Sequence, residues 1–179
     1  IQIEVSTNKV SFLDRGVGMS EKEIRKVKSI AISKKQNADV PLTGHKGVGI
    51  WAGLSYFDTL TVLTSAFGDS CAYELIIRFR RIAESISDDA SIDQVLNNNY
   101  EIKVYEEDPN KHYTDVSLEG PYGPAREWFL DADKIRDAIR RYCPCQLDPT
   151  FGLYSELTQW YHDHKIQFYD IKVDGQTVY

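Results

Sequence analysis

Cysteine is scarce in this 179-residue sequence. Cys71, Cys143 and Cys145 make an odd set of three, which argues against a disulfide framework and for reduced thiols, the default of the cytoplasm. Long apolar runs are missing as well: none approaches the roughly 20 residues that a membrane-spanning helix needs, and no segment has the pattern of a secretory signal. These absences predict a cytoplasmic protein with no membrane partner. Positive charge is in short supply, with 21 Lys and Arg against 27 Asp and Glu and a net charge of −6. There is therefore no sequence-wide basic footprint for nucleic acid, and the local cluster Arg78, Arg80 and Arg81 reads as a solvated strand end before it reads as a polyanion site. Cys143-Pro144-Cys145 followed by His162-Asp163-His164 suggests zinc at first sight, but neither spacing matches common structural sites. Surface histidines and a helix-end Cys-Pro-Cys are the simpler reading, and no metal ligand is assigned.

What the chain has is the composition of a globular protein, 42% hydrophobic and 27% charged, and two glycine-rich boxes. The first is Asp14-Arg15-Gly16-Val17-Gly18-Met19 and the second Gly44-His45-Lys46-Gly47-Val48-Gly49. A D-x-G-x-G box holds a carboxylate in a tight turn, where it accepts hydrogen bonds while the two glycines let the backbone approach a flat ligand. The second box places backbone N–H groups at a helix start, which suits phosphate. Together they predict one nucleotide pocket, base at the first box and phosphates at the second.

Around these boxes the chain reads as alternating strands and short helices. Residues 2–6 and 9–14 alternate apolar and polar about Ser6-Thr7-Asn8, a hairpin that delivers Asp14 to its turn. Ser20 and Glu23 form a capping box for a helix over 20–29 with Ile24, Val27 and Ile30 inward. Residues 31–45 are polar and aperiodic, the composition of a functional lid. An apolar helix over 47–57 follows, then strands at 58–66 and 71–79 turned at Gly68-Asp69, and a polar stretch over 80–99 with a short helix. Strands return at 100–106 and 113–119, and Gly120-Pro121-Tyr122-Gly123-Pro124 marks a domain edge. Asp131 or Asp133 caps a helix to Tyr142 with Ile135, Ala138, Ile139 and Tyr142 on one stripe, and Pro144 stops it. A strand over 166–173, a turn at Asp174-Gly175 and a return strand end the sequence; no internal repeat is present. Ile1, Ile3 and Val5 already alternate like a strand in progress, so the chain looks cut from something longer.

This order of hairpin, D-x-G-x-G-M box, lid, G-x-x-G-x-G helix start and further strands resembles the GHKL superfamily of ATP-binding domains, the Bergerat fold. DNA gyrase B, the ninety-kilodalton heat-shock chaperone, histidine kinases and MutL share it. The resemblance covers residues 1 to about 120 and implies an α/β (α+β) two-layer sandwich: a mixed, mostly antiparallel sheet with helices on one face and the pocket between them. The helix from 131 and the tail are similar to the connector and opening strands of the transducer domain in the chaperone and MutL branches. The expected division is a nucleotide-binding domain over 1–120 and a connector with the start of a transducer-like domain over 121–179.

Residue by residue, the resemblance gives Asp14 the role of the adenine-binding aspartate, since a carboxylate accepts from adenine's exocyclic amine and repels guanine's carbonyl. Gly16 and Gly18 resemble the glycines lining the base, and Met19 the apolar residue packed on it. Ser33 and Lys34 are similar to a MutL-type lid segment in which lysine faces the phosphates. Gly44, His45, Lys46, Gly47, Val48 and Gly49 resemble the second box; Lys46 would add charge at the phosphates and His45 a lid hinge. Thr114 looks like the threonine that reaches the aspartate's water network. Arg15 stands where Thr or Asn is common, and Tyr113 where Gly usually precedes the threonine. The superfamily's first motif, a helix bearing the Glu that activates water and the Asn that ligates Mg²⁺, would precede Ile1, so no catalytic residue is assigned here and hydrolysis is expected of the intact parent. The implied function is an ATP-binding module of a chaperone-like ATPase, coupling ATP binding and lid closure to conformational change. A non-catalytic interaction module and a histidine-kinase-type phosphotransfer domain are the alternatives. ATP or ADP, an unidentified protein client and a second copy in a homodimer are the partners the resemblance allows.

Overall fold

In the computed structural model the described residues are 1–27, 49–85, 92–123 and 126–179. Alternating sequence becomes alternating burial. The strands are β1 (Gln2–Val5), β2 (Lys9–Asp14), β3 (Phe57–Ser65), β4 (Cys71–Ile77), β5 (Tyr100–Glu106), β6 (Tyr113–Pro121), β7 (Lys172–Val173) and β8 (Gln176–Thr177). They form one sheet in the order β5-β4-β3-β6-β2-β1-β7-β8. Every pairing is antiparallel except β1 with β7, so the sheet is mixed. The expected α/β class with a mostly antiparallel sheet is what the structure has.

Register decides which face is core. Val10, Leu118, Leu60 and Ile77 lie in one row across four strands, and Phe12, Val116, Val62 and Leu75 in the next. Directly paired residues share a face, and these rows meet the buried side chains of the helices: Ile24, Phe79, Ile82, Val95, Ile135 and Ile139. The helices that supply them are α1 (Glu21–Ile24), α2 (Phe79–Ser85), α3 (Ile92–Asn98) and α5 (Ala132–Tyr142); α4 (Arg126–Phe129) and α6 (Tyr154–Asp163) are the other α-helices among the described residues. The opposite face carries ion pairs such as Lys9–Glu119 at 3.8 Å and Lys103–Glu74 at 3.5 Å. No described helix is long and apolar enough to cross a membrane.

Several elements depart from expectation for local reasons. The helix foreseen over 20–29 closes as α1 at Ile24, with turns to Val27; its capping box is in place, Ser20 N and Oγ donating to Glu23 Oε2 at 3.1 and 2.7 Å. The apolar helix foreseen over 47–57 is a 3₁₀ helix, Gly49–Ser55. Gly49 and Gly53 weaken α-helix there, and Phe57 already opens β3. Among the described residues of the stretch 80–99 there are two helices rather than one. Asp131 does cap α5, its Oδ1 accepting from Asp133 N at 3.0 Å and Lys134 N at 3.1 Å. Of the stripe on α5, Ile135 and Ile139 are buried but Tyr142 is 83% exposed. It lies at the end of the helix, which packs through its earlier turns on the short β7. The strand foreseen over 166–173 is reduced to β7, because before it the chain has only an isolated bridge, Cys145 with Tyr169. Arg78 and Arg80 are ion-paired, to Glu101 at 2.7 Å and to Glu84 at 3.2 Å.

Candidate functional site

The first glycine box begins where β2 stops. Asp14 is the last residue of β2 and stands directly opposite Thr114 of β6, which stands opposite Thr64 of β3. A direct pairing places side chains on one face, so Asp14, Thr114 and Thr64 form a row on the helix-covered side of the sheet. Half-buried Asp14 closes an Asx turn on itself, Oδ1 accepting from Gly16 N at 2.8 Å. Its other carboxylate oxygen has no donor among the described residues.

Gly18 is the point of closest approach. Its φ is +69°, and a Cβ there would fall 1.8 Å from the Ser65 carbonyl oxygen. No side chain fits between this turn and β3. Beyond it, Met19 N donates to Thr64 Oγ1 at 2.9 Å, and the Met19 side chain packs against the core.

Thr64 is fully buried, and its hydroxyl has a complete set of partners. It donates to Tyr113 O at 2.8 Å, accepts from Met19 N, and lies 3.2 Å from Thr114 Oγ1. A hydroxyl has one hydrogen. Since that hydrogen goes to Tyr113 O, Thr114 must donate to Thr64, which leaves the Thr114 oxygen with lone pairs to offer. The row thus presents acceptors: a carboxylate oxygen from Asp14 and a hydroxyl oxygen from Thr114.

The loop between β5 and β6 closes the same end of the sheet. Glu107 accepts from Lys111 Nζ at 2.9 Å, Tyr113 Oη at 3.0 Å and Asp108 N at 3.0 Å. Those hydrogen bonds, Lys111's first, hold its carboxyl down at about 2. Burial, then the bond to Glu107, pushes the Tyr113 phenol up to about 12. Two further contacts reach across: Gly68 N donates to Pro109 O at 2.8 Å, and His112 Nδ1 lies 2.6 Å from Gly16 O.

The structure therefore brings together Asp14, Gly16, Gly18, Met19 and Thr114 of the sequence-predicted set. Gly49 opens the 3₁₀ helix. Ser33, Lys34, Gly44, His45, Lys46, Gly47 and Val48, with the lid foreseen over 31–45, lie outside the described residues. Sequence reasoning missed Thr64, Ser65 and His112. The first two sit in an alternating strand with no motif of their own, and His112 is a single histidine in a polar loop. A cleft of about 640 Å³ lies elsewhere, between the end of α5 and Phe168, and none of the predicted site residues lines it. Cys71, Cys143 and Cys145 are free thiols. Among the described residues no group of three or more His, Cys, Asp or Glu side chains is arranged to hold a metal ion.

Comparison with known proteins adds three findings. The family described as histidine kinase-, DNA gyrase B- and HSP90-like ATPase matches residues 1–114. The chaperone protein HtpG from two strains of Clostridium perfringens is 26% identical over 186 aligned positions, covering 92% of this chain and 27% of the chaperone. Among solved structures, the ATPase and transducer domains of DNA topoisomerase II from Balamuthia mandrillaris align with a TM-score of 0.59 at 11% identity, over 99% of this chain and 42% of that one. The ATPase region of Saccharomyces cerevisiae topoisomerase II aligns with a TM-score of 0.58 at 8% identity, again over 99% and 42%. At such identities the structural likeness concerns the fold alone. The chain spans about a quarter of the length of the curated relatives it matches.

Proposed function

This chain belongs to the histidine kinase-, DNA gyrase B- and HSP90-like ATPase family, and from that membership we propose that it is the ATP-binding module of a chaperone-like ATPase. Asp14 reads the adenine. The observation that carries this reading is the row of acceptors formed by Asp14 and Thr114 across the β2–β6 register, beside a turn whose glycine leaves no room for a side chain. Adenine offers an exocyclic amine, a donor, where guanine offers a carbonyl. A carboxylate with a free oxygen and a hydroxyl whose hydrogen is already committed to Thr64 accept from that amine directly or through water, and both repel guanine.

The rest of the pocket follows from the second glycine box. Gly44, Lys46, Gly47 and Gly49 offer backbone N–H groups and one ammonium to the phosphates, with Ser33 and Lys34 approaching from the lid. Lid closure over ATP would be passed to the connector α5 and the segments after it, the start of a transducer-like unit in a longer protein. The match to ATPase-and-transducer structures across 99% of the chain supports that arrangement. Mg²⁺ would be held with ATP. By the family resemblance, its ligand and the water-activating carboxylate would belong to a helix preceding this hairpin. Hydrolysis, client and homodimerisation are properties we propose only for such a whole protein.

Calorimetric titration of ATP and adenosine tests the site. Asp14→Asn presents an amide donor toward the amine and leaves a buried ligand group unpaired, a loss of about 1–3 kcal/mol or roughly 5- to 150-fold in affinity for both ligands. Lys46→Ala weakens ATP more than adenosine, because its partner is phosphate. Equal ATP affinity of wild type and Asp14→Asn defeats the assignment, and absence of ATP binding by the full-length wild-type protein defeats the function.

A further inference from the structure

We infer that His112 is a positioning residue for the adenine turn, its Nδ1–H holding the Gly16 carbonyl so that the Asp14 carboxylate stays aimed at the base. The inference rests on the nucleotide reading above for its consequence, though not for its geometry. Nothing in the glycine boxes points to this residue. It lies 96 positions from Gly16 and reaches the turn only because β6 pairs with β2.

The turn needs such a tie. Its two ends are anchored, Asp14 by the β2–β6 ladder and Met19 by Thr64. Its middle has only a bond within the turn, Gly16 N to Asp14 Oδ1: Arg15, Gly16 and Val17 are exposed, Val17 at 82%, and a glycine-rich segment with so little packing keeps much of its conformational freedom. The contact from His112 Nδ1 to Gly16 O, 2.6 Å long, meets the chain in that middle.

The direction of the bond is fixed by chemistry. A carbonyl oxygen only accepts, so Nδ1 carries the hydrogen, and in the neutral ring Nε2 is left as the acceptor. The opposite tautomer would set a lone pair against the carbonyl. The ring is itself held: it meets Phe67 in a T-shaped pair with centroids 5.7 Å apart, and the loop behind it is tied by Gly68 N to Pro109 O and by the Glu107 cluster. His112 lies two residues before Thr114, so one short segment grips the turn through the imidazole and the aspartate's neighbourhood through the threonine. Displacing Gly16 also displaces the N–H that orients Asp14 Oδ1.

Two nearly isosteric substitutions separate positioning from mere packing. In His112→Asn the amide nitrogen takes the place of Nδ1 and can still donate; in His112→Asp an acceptor faces the Gly16 carbonyl. The experiment uses the whole chain and compares wild type with both variants by hydrogen exchange without ligand, by calorimetry with ATP and with adenosine, and by thermal unfolding. Gly16 N and Met19 N, bonded to Asp14 and Thr64, report on the turn. The expected result is exchange at these two amides about 10-fold faster in His112→Asp and close to wild type in His112→Asn. ATP and adenosine should both weaken roughly 3- to 10-fold in His112→Asp, the loss of one net hydrogen bond, and recover in His112→Asn. Unchanged exchange in His112→Asp overturns the inference, as does a loss confined to ATP, which would place the effect at the phosphates. Should the wild type bind neither ligand, the function proposed above falls, and the exchange comparison still decides the role of His112.

Discussion

Replacing Gly18 by alanine tests how closely the first glycine box is pressed to the sheet, and Gly68→Ala supplies the matched control. Both glycines have positive φ, +69° and +83°. Either substitution therefore incurs the left-handed penalty of an L-residue, about 1–2 kcal/mol. They differ in what the new methyl group meets. At Gly68 nothing lies within 4 Å; at Gly18 the Cβ falls 1.8 Å from Ser65 O and 2.6 Å from Ser65 C. That obstacle is backbone of β3, paired to β6 on one side and fully buried at Ser65, so it cannot turn aside like a side chain. The turn must move instead, and moving it takes Met19 N away from the buried Thr64 hydroxyl. Forced overpacking costs about 1–3 kcal/mol, so Gly18→Ala should lose about 2–5 kcal/mol in all and Gly68→Ala about 1–2. For a chain of this size each kcal/mol shifts Tm by about 2–4 °C. Urea unfolding at constant m-value is the assay of choice, since it reports stability without a change in denatured-state exposure. ATP affinity should fall much further in Gly18→Ala than in Gly68→Ala. Equal unfolding midpoints for the two variants would refute the close approach on which the site geometry depends.

Two further outcomes follow from the same end of the sheet. Thr64→Val keeps the shape but removes the acceptor of Met19 N and the donor to Tyr113 O, and should cost about 1–3 kcal/mol in urea unfolding; an unchanged midpoint would mean that this hydroxyl is not the turn's anchor. Glu107 has its carboxyl lowered from 4.5 to about 2 by Lys111, Asp108 N and Tyr113. A group whose pKa is depressed on folding contributes stability that is complete above its unfolded value and is lost as pH falls through the folded one. Stability should therefore decline between pH 4.5 and about 2, and Glu107→Gln should flatten that part of the profile; parallel profiles for the two proteins would count against the cluster.

Local pattern carried a good part of the architecture. Period-two alternation marked β1, β2, β5 and β6 to within about two residues, the Ser20–Glu23 box and Asp131 marked two helix starts, and the glycine boxes marked the turn after β2. These signals need only neighbours in sequence. They failed where neighbours in space decide. Gly49-Ile50-Trp51-Ala52-Gly53 has the apolar content of an α-helix yet winds as 3₁₀, ending just before β3 must begin. Residues 166–171 alternate like a strand, but a strand exists only where a partner is present, and there only Cys145 bridges to Tyr169.

The candidate site divides along the same line. The amino-acid sequence by itself determined that Asp14 would sit in a glycine turn and that Thr114 would lie in a strand, because both facts depend on residues within a few positions. That the two face each other, that Thr64 on the far side of Thr114 takes up its hydrogen, that Gly18 rests on Ser65 and that His112 meets Gly16 were decided only by β6 pairing with β2 on one side and β3 on the other. A sheet register is a choice among long-range alternatives, set by which rows of apolar side chains can be buried together. No single segment of the chain contains that information.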